Sequence, residues 1–283
     1  MPPMREVAII GAGELGGALA RVLAARDVAR RVHLIDDAGR VAEGKALDIA
    51  QSAPVSGFAA EVKGSTDLTI AAAAGLFIVA DRVGGAEWQG DDGVALLKRL
   101  RQTAPRAVVV CAGAQQRELV DRGVSELGLR RDQLFGSAPE AMRAAVRALV
   151  ALELNVSPRE VALSLLGVPP AHIVIPWSDA TVGGFGLTRL LDEPSRRRLA
   201  ARIPAMWPPG PIALAHAACA VAETITGRAR RLATCFVAPD RSAGARTRTA
   251  AFPVYLNSNG IAEMLAPPLS VVEQIALDNA MML

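Results

Sequence analysis

The residues best suited to chemistry lie near the start of the chain. Gly11, Gly13 and Gly16 stand in the spacing G-x-G-x-x-G. In that pattern the first glycine makes a tight turn, the second lets a pyrophosphate approach the backbone, and the third lets helix and strand pack closely. Glu14 and Leu15 fall between the second and third glycines, where a helix start offers unpaired N–H groups to an anion. Asp36 follows about 20 residues after Gly16, where a carboxylate takes the adenosine ribose hydroxyls of NAD and repels the extra phosphate of NADP. Glycine spacing alone says little, because any tight strand-to-helix turn favours glycine.

The flanking elements supply the rest. Val7–Leu23 reads as a β-branched run, the glycine turn, and apolar residues recurring at helical spacing; Arg31–Ile35 reads as the next strand. Strand, turn, helix and spaced acid together predict an α/β fold with an N-terminal Rossmann-type, doubly wound parallel sheet. The 283 residues are enough for two domains, and 51% of them are apolar. A net charge of +3 gives no nucleic-acid footprint. Cys111, Cys219 and Cys235 have neither pairing nor metal-ligand spacing, which suits buried thiols in a reducing compartment, and no metal site is expected. The residues MPPMRE run straight into the first strand and no uncharged run is long enough to span a bilayer, so we expect no secretory leader, no membrane span and a cytoplasmic protein.

A more specific signal follows. EGKALDIAQSAP, Glu43 to Pro54, closely resembles the lactate/malate dehydrogenase family, and so does FGSAPEAMRAAVRALVALELNVSPREV, Phe135 to Val161. FPVYLNSNGIAEML, Phe252 to Leu265, is a weaker echo of the family's closing strands. The resemblance implies a dinucleotide-binding domain over 1–136 and a C-terminal α+β substrate-type domain over 137–283, with NAD as cofactor. It implies that the helix Val41 to Gln51 lies at a subunit interface, giving a homodimer or tetramer. It also places Val79 and Ala80, then Asp81, in a small-residue turn against the cofactor, followed by a lid over Gly84 to Gly93.

At the family's catalytic places the chain departs. The lid's two arginine positions hold Gly84 and Gly90, and Gly113, Ala114 and Gln115 stand where the family has Thr-Asn-Pro. In the motif Leu-Asp-Ser-Ala-Arg-Phe-Arg the aspartate place is Met142, the substrate-binding arginine place is Ala145, and only the last arginine remains, as Arg147. The histidine place is Pro169. Oxidising a 2-hydroxy acid needs a base for the hydroxyl proton and a guanidinium for the carboxylate, and these substitutions supply neither. His172, three residues after Pro169, and His216, within ALAHAACAVAETI, are the candidate replacement bases. Glu14 and Asp81 would put two carboxylates beside two phosphates unless they point outward.

Three readings stay open: a non-catalytic NAD(H)-binding or regulatory homologue with a small-molecule ligand, an active NAD-dependent oxidoreductase on a non-standard hydroxy or carbonyl substrate, and a purely structural partner. Elsewhere the pattern predicts helices over Leu68–Ala74 and Val94–Gln102, an Arg-rich helix over Glu193–Arg202, a charged stretch from Arg241, and a closing helix capped by Ser270 and Glu273.

Overall fold

The computed structural model describes residues 5–240 and 248–283; most of the charged stretch from Arg241 lies outside the described residues. The chain opens with β1 (Glu6–Ile10), α1 (Glu14–Ala25), β2 (Arg31–Ile35), α2 (Gly39–Ser56), β3 (Glu61–Ser65) and β4 (Leu76–Val79). It continues with α3 (Gly90–Thr103), β5 (Val108–Cys111), α4 (Arg117–Ser125), β6 (Leu134–Gly136) and α5 (Ala138–Leu154). Then come β7 (Val161–Ala162), β8 (Leu166–Val168), β9 (His172–Val174), β10 (Thr181–Val182), β11 (Phe185–Gly186), α6 (Leu187–Leu190), α7 (Glu193–Arg202) and α8 (Pro211–Ile225). The last elements are β12 (Leu232–Val237), β13 (Ala250–Asn257), β14 (Gly260–Met264) and α9 (Val271–Met281).

One sheet runs in the order β3-β2-β1-β4-β5-β6-β12-β13-β8-β9, with β14 on β13. From β3 to β6 every pairing is parallel, and from β12 onward every pairing is antiparallel. The two halves meet where Phe236 of β12 pairs Gly136 of β6. Parallel strands covered by helices on both faces read as unbroken apolar runs, which is why β1 and β4 are buried along their whole length. A small second sheet joins β11, β10 and β7. The α/β class expected from the glycine turn is therefore the observed one.

Several local expectations shift. Leu68–Ala74 is not a helix but a single 3-10 turn, Leu68–Ala71, in which the Asp67 carboxylate accepts from Thr69 N. The chain must enter β4 at Leu76, and Gly75 N already bonds Glu6 O, so no length is left for a helix. The helix predicted over Val41–Gln51 extends through Pro54 and ends where Gly57, at φ +74°, donates to Ala53 O. Proline so near the end removes one ladder bond without breaking the helix. The helix predicted from Val94 starts at Gly90, with Asp91 and Asp92 in its first turn, where their charge complements the helix dipole. The closing helix carries the capping box of Ser270 and Glu273 as expected.

All three thiols are buried and unpaired. Burial pushes Cys111 up to about 12 and Cys219 up to about 11, so they are packing residues and not nucleophiles. No helix among the described residues is long and apolar enough to cross a membrane.

Candidate functional site

The glycine turn sits at the carboxyl end of β1, between β2 and β4. Gly11, at φ +114°, donates to Ile35 O at 2.7 Å, and Gly13 is the N-cap residue of α1 with no capping side chain of its own. The first amides of a helix need an acceptor from outside the helix. Here the acceptor comes from the end of β4. The Asp81 carboxylate takes Gly16 N at 2.9 Å and Leu15 N at 3.2 Å, and the Asp81 carbonyl takes Gly13 N at 2.9 Å. The carboxylate lies so close over Gly13 that a Cβ built there would be 2.3 Å from its Oδ2. From the other side Lys45 of α2 donates to Ala12 O and Gly13 O, both at 2.7 Å.

Asp36 is also turned onto the backbone. Its Oδ2 accepts from Ala12 N at 2.8 Å and Val83 N at 3.0 Å, its Oδ1 accepts from Ala38 N at 2.8 Å, and the residue is 7% exposed. Val83 immediately precedes the segment expected to be a lid, Gly84 to Gly93. Here the chain folds as a tight hairpin: Asp81 pairs Glu87, Arg82 N bonds Ala86 O, and Gly84 and Gly85 turn at φ +97° and +88°. The Arg82 guanidinium lies 4.6 Å from the centroid of the Trp88 ring, which holds it away from the cleft as a cation–π partner.

At the hairpin's far end the Glu87 carboxylate accepts from Ala114 N at 3.1 Å and Gln115 N at 2.9 Å, in the turn after β5. Burial pushes the Glu87 carboxyl above the usual carboxylate range; the two N–H groups pull it back, and the Asp81 charge pushes it up further. Between these groups is a cavity of about 420 Å³. Its lining includes Glu14, Leu15, Lys45, Asp81 and Glu87, together with Pro208 and Pro209 just before α8 and Pro211 and Leu214 in its first turn.

Among the residues expected to bind cofactor, Gly13, Glu14 and Leu15 line this cavity. Gly11 and Gly16 are buried in the turn, Val79 and Ala80 are core residues, and Asp36 points into backbone amides, so none of these five forms its wall. Neither candidate histidine reaches it. His172 is exposed on β9, and His216 is exposed on the face of α8 toward α1, its Nδ1 3.4 Å from Arg26 Nη2. Sequence reading passed over Lys45 and Glu87 as site residues: Lys45 lies in the helix assigned to a subunit interface, and Glu87 belongs to no recognisable motif.

No family model matches the chain. Among curated relatives, the malate dehydrogenase of Thioalkalivibrio sulfidiphilus is 27% identical over 98% of this chain and 96% of its own length. That of Sorangium cellulosum is 28% identical over 97% and 93%. The chain is thus similar to malate dehydrogenases over nearly its whole length. The fold agrees with this. A lactate dehydrogenase from Cryptosporidium parvum, solved with lactic acid and β-nicotinamide adenine dinucleotide, superposes with a TM-score of 0.89 at 21% identity, covering 99% of this chain and 95% of that one. The malate dehydrogenase of Salinibacter ruber gives 0.86 at 23% identity, covering 97% and 93%.

Against this family background, Met142 is a fully buried core residue and Pro169 is buried beside β8. Arg147, expected from the resemblance to be the arginine kept from the family motif, donates to Val161 O and Pro158 O at 2.8 Å each, which ties α5 to β7. The glycine turn and α1 keep the frame on which a dinucleotide's pyrophosphate rests. With Asp81 where it stands, however, the Leu15 and Gly16 amides are taken and the space over Gly13 is filled, so the residues do not fit a pyrophosphate in this arrangement.

Proposed function

We propose that this chain is a non-catalytic binding or regulatory homologue of the NAD-dependent lactate and malate dehydrogenases, in which oxidation of 2-hydroxy acids has been given up. One observation carries the reading: among the described residues, the cavity's ionisable groups are Glu14, Lys45, Asp81 and Glu87, with no histidine or arginine. A 2-hydroxy acid brings a carboxylate that needs a guanidinium in a dry site and a hydroxyl proton that needs a base. Lys45 is engaged by two backbone carbonyls, and the other groups repel an anion. Losing an acid–base group alone costs about 10²–10⁴ in rate.

NAD is the nucleotide of this reading, supported by the glycine spacing and by the fold shared with a lactate dehydrogenase whose structure contains it. Assembly as a homodimer or tetramer is supported by Leu47 and Val55 on α2, which are 59% and 92% exposed. A cytoplasmic location is supported by the three buried, unpaired thiols. The test is NADH formation from NAD with malate, lactate and a panel of hydroxy acids, using protein cleared of host dehydrogenase. No turnover is expected, and brisk oxidation of malate or lactate would overturn the proposal.

A second reading is favoured by Glu87. A desolvated carboxyl in a cavity wall is the type of group that serves as a general base, and an uncharged alcohol or carbonyl would need no guanidinium. On that reading turnover with a neutral alcohol is measurable and disappears in Glu87→Gln.

A further inference from the structure

We propose that the hairpin from Asp81 to Glu87 is a built-in stand-in for the dinucleotide: its leading carboxylate occupies the pyrophosphate's amides, and a nucleotide enters only by displacing it. The inference rests on the cleft being a dinucleotide frame, as in the proposed function, but not on the absence of turnover.

Three sets of backbone N–H groups lie at or beside this cleft, and each is met by a carboxylate of the chain itself. Asp36 takes Ala12, Ala38 and Val83, Asp81 takes Leu15 and Gly16, and Glu87 takes Ala114 and Gln115. Two of the three carboxylates, Asp81 and Glu87, are the two ends of the hairpin, joined by their own pairing. An N–H group that points at one anion cannot serve a second at hydrogen-bond distance, so a phosphate and the Asp81 carboxylate exclude each other at Leu15 and Gly16.

The exclusion is steric as well. A bare Cα at Gly13 serves to let a pyrophosphate come close, and the Asp81 carboxylate has taken that approach, its Oδ2 2.3 Å from where a Cβ would sit. The hairpin is also tied down by its backbone, through Gly13 N to Asp81 O and Val83 N to the Asp36 carboxylate. Any ligand that reaches the amides must therefore displace the Asp81 carboxylate from them.

The test is titration of the full chain with NADH and with ADP-ribose by calorimetry, comparing the unmodified protein with Asp81→Ser and Asp81→Asn. Serine removes both charge and bulk; asparagine keeps the size and serves if the serine variant does not fold. NADH is expected to bind Asp81→Ser at least 10-fold more tightly than the unmodified chain, with Asp81→Asn between them. Equal or weaker binding by the neutral variants, whether or not the unmodified chain binds, would overturn the proposal.

A measurement on the unmodified chain stands beside it. The amide protons of Leu15 and Gly16 are expected to exchange slowly in the absence of any ligand, and exchange as fast as that of open loop amides would refute the seated hairpin. Neither readout involves hydroxy-acid turnover, so a gain of NADH binding without activity supports both proposals, and activity in the unmodified chain sinks only the functional one.

Discussion

Asp36→Asn separates a carboxylate that pins the fold from one held ready for a sugar. The residue is 7% exposed and accepts three backbone N–H groups, from Ala12, Ala38 and Val83. Hydrogen bonds to a charged group contribute about 1.5–3 kcal/mol each, and neutral ones roughly half as much. The asparagine carbonyl can keep Ala12 and Val83 as neutral partners, whereas its NH₂ meets Ala38 N donor to donor. One charged bond is then lost outright and two are weakened, while water reaches part of the Ala38 side and returns some of the loss. A net destabilisation of about 2–4 kcal/mol follows. Urea unfolding of the two proteins, compared at equal m-value, reads it directly. A loss below about 0.5 kcal/mol, the usual effect of a substitution on an open surface, would refute the claim that Asp36 joins the glycine turn to the hairpin.

Glu87 predicts a pH dependence. Its carboxyl is raised in the folded state, so as pH climbs above the ordinary carboxylate range the unfolded chain releases a proton that the folded chain still holds, and stability falls through that window. The difference in unfolding free energy between the unmodified protein and Glu87→Gln should therefore move against the unmodified protein as pH rises; parallel pH profiles would contradict it. Leu47→Glu places a charge on the exposed face of α2, and light scattering should find a smaller species than that of the unmodified chain. A monomeric unmodified chain would remove the basis for that expectation.

The internal carboxylates have a plain physical origin. A helix that starts at a glycine turn leaves its first amides unpaired, and buried N–H groups without an acceptor are costly. In a dinucleotide-binding chain the ligand can meet part of that need. Here Asp81 meets it from within the chain, which steadies α1 without a ligand and lowers the gain available from one.

Local pattern was enough for the parts of the chain whose structure is local. The β-branched run of β1, the glycine turn and α1 follow from side-chain spacing, and the family words of α2 and α5 are contiguous segments. The family resemblance likewise sets Pro169, Met142 and Ala145 at the places where the family's catalytic residues are expected. Pattern failed at Leu68–Ala71, where the distance to β4 overrode helical propensity.

It could not say where the acids point. Asp81 is 65 residues from Gly16, and only the parallel pairing of β1 with β4 brings its side chain over the helix start. Sequence raised the question of whether Glu14 and Asp81 face the phosphates or turn away. The answer depended on hydrogen bonds between elements far apart in the chain: Glu14 faces the cavity, while Asp81 takes the amides themselves. Residue identity sets which group can ionise, but the direction of a side chain at the end of a strand is set by the neighbours that strand acquires on folding.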